Sequence, residues 1–147
     1  MHSRLVSGKS ARVHVVILDS GEEAFAALTK FANAEKLAAA SLTAIGAFER
    51  ATIGWFDLNS KSYRKIEINE QCEVLTAIGD VALGDDGKAS LHVHVVLGLS
   101  DGSTRGGHFL SGLVRPTLEV VLTEAPAKLR RRKRPELGIA LIDLDSG

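Results

Sequence analysis

Cysteine is nearly absent from these 147 residues: Cys72 stands alone. A single thiol forms no internal disulfide, which suits a reducing compartment. Net charge is missing too, because 18 Lys and Arg balance 18 Asp and Glu. No global field draws the chain to nucleic acid or to an anionic membrane, so any such attraction has to be local. Aromatic residues make up only 5%, too few for the interleaved basic and aromatic surface that holds single-stranded nucleic acid. No apolar run is long enough to span a bilayer. The first nine residues, Met-His-Ser-Arg-Leu-Val-Ser-Gly-Lys, carry no apolar signal core. A cytoplasmic protein without a membrane partner is therefore expected. No nucleophile motif is present either. Ser111, in Leu110-Ser111-Gly112, lacks the strand-elbow pattern, and Gly46 and Gly54 form no phosphate loop. The catalytic residues, if there are any, stay unnamed.

What is there is enough for one folded unit. The composition is 45% hydrophobic and 24% charged, as in ordinary globular domains, and the length suits a single domain over 1–147 with a core over about 12–142.

The stretch over 91–108 carries the most chemistry. Residues 91–99 alternate and are rich in valine, so they read as a strand. Leu91, Val93, Val95, Leu97 and Leu99 share one face, while His92 and His94 share the other. Asp101-Gly102 supplies a tight hairpin turn. The chain returns through Gly106-Gly107-His108, where glycine lets the backbone bend without a clashing Cβ. So short a hairpin brings His108 back toward the first two histidines.

The rest reads as scaffold. Residues 12–18 form a strand. Ser20 with Glu23 makes a capping-box pattern, and Phe25, Leu28, Phe31 and Ala32 form one helical stripe, so a helix is expected over 21 to about 33. Strands follow over 41–48 and 51–57, with Glu49-Arg50 between them, then over 62–68 and 71–83. Gly79 is expected to mark a bulge or bend in the last of these. Further strands are expected over 117–124 and 139–144. The fold class is α+β: a mainly antiparallel sheet of about seven strands with one principal helix packed on it. One helix covers only part of such a sheet, and many strands are apolar on both faces, so burial against other subunits is expected.

Several segments match a known family. Ile45-Gly46-Ala47-Phe48, then 73–79 ending at Gly79, then Leu91-His92-Val93-His94-Val95, then Gly106-Gly107-His108-Phe109-Leu110, and then Glu119-Val120-Val121-Leu122 resemble, in order and spacing, the plant-and-prokaryote-conserved (PPC) domain. In plants this domain sits behind AT-hook motifs; in prokaryotes it often stands alone. The resemblance implies a stand-alone, homotrimeric binding module with a DNA-linked regulatory role, and it carries the family's histidine cluster onto His92, His94 and His108. The chain has Arg132-Lys133-Arg134-Pro135 in place of the hook's Arg-Gly-Arg-Pro, so the glycine that lets a hook lie deep in the minor groove is missing.

Two sites follow. His92, His94 and His108 are candidate ligands for zinc or another divalent metal, which would make the protein a metal-dependent enzyme or small-ligand binder; the alternative is a hydrogen-bonded polar cluster at an interface. Asp101 and Glu119 are the acids nearest in sequence. Lys128, Arg130, Arg131, Arg132, Lys133 and Arg134 form a basic run that either binds DNA weakly or is a solvated, ion-paired segment. His14 reads as a satisfied core histidine, and Trp55, Phe56 and Tyr63 as core or interface.

Overall fold

The computed structural model describes residues 1–7 and 11–144. Among them are nine strands and one helix: β1 (His2–Ser7), β2 (Val13–Asp19), α1 (Ala24–Ala34), β3 (Ala39–Asp57), β4 (Ser62–Ile68), β5 (Cys72–Leu83), β6 (Ala89–Gly98), β7 (Thr104–Glu124), β8 (Arg130–Arg134) and β9 (Ile139–Asp143). The α+β class and the mainly antiparallel sheet are as expected.

The pairing closes on itself. β3 pairs with β5, β5 with β6, β6 with β7, and β7 with β3, all antiparallel. β1 and β2 extend the sheet beyond β7, and β4 pairs with the C-terminal half of β3. Alternation decides which way each side chain points. Leu91, Val93, Val95 and Leu97 are buried in a core shared with Phe48, Ile53, Phe109, Leu118 and Leu122. His92 and His94, one residue out of phase with them, lie on the opposite face.

Helix α1 packs on β6 and β7 with Ala24, Leu28, Phe31 and Ala32 buried. Burying Leu28 and Phe31 contributes roughly 1.5–3 kcal/mol each. The helix starts later than the capping-box pattern suggests. Its N-cap is Glu23, whose carboxylate accepts hydrogen bonds from the backbone N–H groups of Phe25 and Ala26 at 3.2 and 2.7 Å. The same carboxylate accepts from Gly112 N–H at 3.0 Å. A carboxylate that ties the helix start to β7 satisfies donors on two elements at once, and this outcompetes a cap at Ser20.

Other expectations need correcting. Glu49-Arg50 does not separate two strands: β3 runs straight through it, absorbing the change of partner as register shifts against β7. Gly106-Gly107 makes no bend either, because β7 begins at Thr104 and continues to Glu124. Gly79 lies in regular pairing opposite Val93, while the β5–β6 register shift falls between Val74 and Thr76. Strands β1 and β8 were not expected. Strand β8 is the basic run itself; it joins the sheet by a parallel bridge between Arg130 and Leu83 and pairs antiparallel with β9. No helix among the described residues is long and apolar enough to cross a membrane.

Candidate metal centre

His94 pairs with His108 across β6 and β7, and His92 lies two residues away on the same face. Two glycines make the close approach possible. A Cβ on Gly107 would sit 2.7 Å from the Gly54 carbonyl oxygen, so any other residue there would push β7 off β3 and carry His108 with it. A Cβ on Gly54 would meet the Tyr63 ring at 2.8 Å. With glycine there, Tyr63 lies across the strand and stacks on His108, with ring centroids 4.7 Å apart.

The three imidazoles converge. His92 Nε2 and His94 Nε2 are 3.1 Å apart. One nitrogen from each ring lies within 4.8 Å of the others. The centroid separations are 5.0 Å for His92–His94, 5.1 Å for His92–His108 and 5.3 Å for His94–His108. Tetrahedral zinc ligands at about 2.0–2.1 Å stand roughly 3.4 Å from one another. One pair is already near that spacing, and the third nitrogen lies within 4.8 Å of both.

The electrostatics favour neutral rings. Burial, then the two neighbouring imidazoles and the Arg131 guanidinium, lower the His108 pKa to about 4. Burial and Arg131 also lower His92, against the opposing pull of Asp80. Neutral imidazole is the form that binds metal. The Nδ1 atom of His108 is buried and has no hydrogen-bond partner. An unpaired buried nitrogen is costly, and coordination is one way to satisfy it. The donor set, the convergence and this orphaned atom all fit a divalent metal.

Two residues beside the cluster were not assigned to it in the sequence: Asp80 was not singled out, and Arg131 was read only as part of the basic run. Asp80, on β5 opposite His92, brings its Oδ2 to 3.9 Å from His92 Nδ1, too long for a hydrogen bond. Its other oxygen is held by Arg131 in a close ion pair. Arg131 is only 5% exposed, and its second terminal nitrogen donates to the Ser90 carbonyl at 3.0 Å and the Ser90 hydroxyl at 3.2 Å. Period-two alternation in a strand opposite the H-x-H strand was the available signal for Asp80, but only the pairing register selects it. Asp101 and Glu119 are elsewhere. Asp101 accepts from Ser103 N–H at 2.8 Å in the β6–β7 turn, and Glu119 pairs opposite Ile17 and Ile45.

The basic run is dispersed. Arg131 points inward, Arg132 meets Asp85 at 3.3 Å and Arg134 meets Asp143 at 3.8 Å, while Lys128 and Lys133 are exposed. Trp55 is 54% exposed and carries the Arg64 guanidinium 5.3 Å from its ring centroid, so it is not core. His14 is buried as expected, edge-on to Phe31, but its Nε2 has no hydrogen-bond partner.

A closed antiparallel sheet with one helix and an H-x-H strand paired to a G-G-H strand defines a recognisable class. The profile of the Plants and Prokaryotes Conserved (PCC) domain matches residues 5–126, and the chain belongs to that family, the PPC domain of the sequence reading. Among solved structures, the chain is similar to a plant- and prokaryote-conserved (PPC) protein from Pyrococcus horikoshii at 32% identity, covering 95% of this chain and 97% of that one with a TM-score of 0.84. It is similar to a metal-containing protein from Archaeoglobus fulgidus at 30% identity, covering 97% and 99%, with a TM-score of 0.82. It also resembles a Ralstonia eutropha JMP134 protein named a putative DNA-binding protein, at 26% identity over 89% and 90%, with a TM-score of 0.82. No curated protein matches the chain.

Proposed function

We propose that this protein is a self-associating PPC module that holds one divalent metal, zinc by its donor set, on His92, His94 and His108. The observation that carries the reading is the convergence of three imidazole nitrogens within 4.8 Å, two of them on rings kept neutral at pH 7. The metal-containing Archaeoglobus relative supports it. Three histidine ligands leave a fourth position for water or a small ligand, and a metal bound there would supply Lewis acidity. Around it Tyr63 stacks on His108, and the Arg131–Asp80 ion pair lies beside His92. Purified protein should bind about one zinc per chain, and His94→Ala should weaken binding by more than about 100-fold, beyond what loss of an outer partner costs. His94 is exposed, so circular dichroism should show the sheet intact. Unchanged metal content in that variant would sink the reading.

Self-association is supported by the outer face of the closed sheet, and its homotrimeric form by the family resemblance. Ile78 (60% exposed) pairs with His94 and Thr43, and Thr43 pairs with Val121; Ile45, Leu75 and Val96 are exposed as well. An apolar set of this kind marks an interface. Sedimentation should give three times the chain mass, and a stable monomer at micromolar concentration overturns it.

A DNA-linked role is the second reading, favoured by the Ralstonia neighbour. The basic run supports only weak, non-specific contact, because Arg131, Arg132 and Arg134 are engaged by acids of this same chain.

A further inference from the structure

The β8–β9 hairpin begins at Arg130, beyond residue 126 where the family match ends. It folds back beside the histidine cluster and closes one side of a cavity of about 240 Å³. Arg131 anchors it through Asp80 and Ser90, and Arg132 anchors it through Asp85. Its tip is seated at Gly138, where a Cβ would come within 2.7 Å of Lys61 Cβ in the β3–β4 turn. The cavity has a nitrogen end, at His92 and His108, and an apolar side at Ile139 and Leu141, with Tyr63 between them.

We propose that this cavity binds a small aliphatic carboxylate, its charged group at the His92/His108 end and its hydrocarbon tail against Ile139 and Leu141. The proposal rests on the metal reading of the cluster. Volume bounds the occupant first: drug-sized sites run to roughly 300–1,000 Å³, so this one takes a smaller molecule. Charge selects the sign. Arg131 and Asp80 balance one another in their ion pair. A divalent metal on the cluster would leave the nitrogen end positive, which repels an amine and attracts an acid. Donor supply then separates a carboxylate from a phosphate. Phosphate recognition draws on a fork of free N–H groups, and both terminal nitrogens of Arg131 already donate to Ser90 and Asp80. A carboxylate needs only the metal's open position, and the aliphatic wall rewards a tail.

The test uses the intact chain loaded with Co²⁺, whose visible absorption reports on its ligands, titrated with acetate, butanoate and hexanoate, and with hexylamine as the cationic control. Each methylene buried should tighten binding by about threefold to fourfold, so hexanoate should perturb the spectrum at concentrations far below acetate, and hexylamine should not bind. Leu141→Asp alters a side chain that is already 38% exposed. It should flatten the chain-length series. Calorimetry with the Zn²⁺ form should reproduce the order. Cobalt uptake with hexanoate binding no tighter than acetate overturns this proposal alone, as does a chain-length series unchanged by Leu141→Asp. No cobalt uptake overturns the metal reading and this proposal with it.

Discussion

The histidine triad and the basic run are the two stretches richest in functional side chains, and folding treats them in opposite ways. His92, His94 and His108 are separated by up to sixteen positions and end with their rings about 5 Å apart. Arg130 to Arg134 are contiguous and end on opposite faces of a strand, with Arg131 buried against Asp80 while Arg132 and Lys133 are exposed. In a strand, contiguity scatters side chains and pairing gathers them. A run of like charge is thus weak evidence of a charged surface, whereas an i, i+2 pair opposite a third residue on the neighbouring strand is good evidence of a cluster.

The comparison breaks most readily at Arg131, the one member of the run that the fold has made structural. Arg131→Ala leaves the Asp80 carboxylate unpaired and the Ser90 groups without their donor. Asp80 keeps some access to water, so the cost should be about 1–3 kcal/mol, read as a lower urea midpoint at unchanged slope. A midpoint equal to that of the wild-type chain would return Arg131 to the solvated run.

A smaller effect tests the other side. His108 has its pKa lowered to about 4 from the ordinary 6.5. Below 6.5 the unfolded chain takes up a proton that the folded one refuses, so stability falls with pH across that window and levels off below about 4. The ring is only half-buried, so solvent screens part of the effect. Urea midpoints of metal-free protein from pH 7.5 to 4 should show this decline, and His108→Gln should blunt it. A parallel decline in the variant would assign it to other groups.

Much of this contrast was legible in the sequence. The alternation over 91–99 determines which face His92 and His94 share, and the Asp101-Gly102 turn returns His108 beside them. The resemblance to the PPC family also held. Legibility ended where tertiary pairing decides the outcome. Nothing local says that Asp80 stands opposite His92, that Tyr63 from β4 covers His108, or that a strand forms from five consecutive cations. Glycine was read for its freedom to bend, but Gly54 and Gly107 are needed for close approach within straight strands. The helix cap moved to Glu23 because a third donor, Gly112 N–H, was waiting on a distant strand.

The smallest effects belong to the exposed cations, and they sharpen what the run can still do. Arg132→Ala and Arg134→Ala should each change stability by no more than about 0.5 kcal/mol, since exposed ion pairs contribute little. Among the described residues, Lys128, Arg130 and Lys133 are the members of the run outside an ion pair. Each phosphate neutralised contributes about −0.9 to the slope of log affinity against log salt. Three such contacts give a slope of about −2.7, so binding to duplex DNA should weaken roughly 40-fold between 50 and 200 mM salt. Reversing Lys128 and Lys133 to Glu should remove about two units of that slope. A slope of −5 or steeper, or a preference among duplex sequences that persists at physiological salt, would mean that Arg132 and Arg134 leave Asp85 and Asp143 to reach the backbone. The run would then be a surface that DNA assembles, and its dispersal in the free chain would be only its resting arrangement.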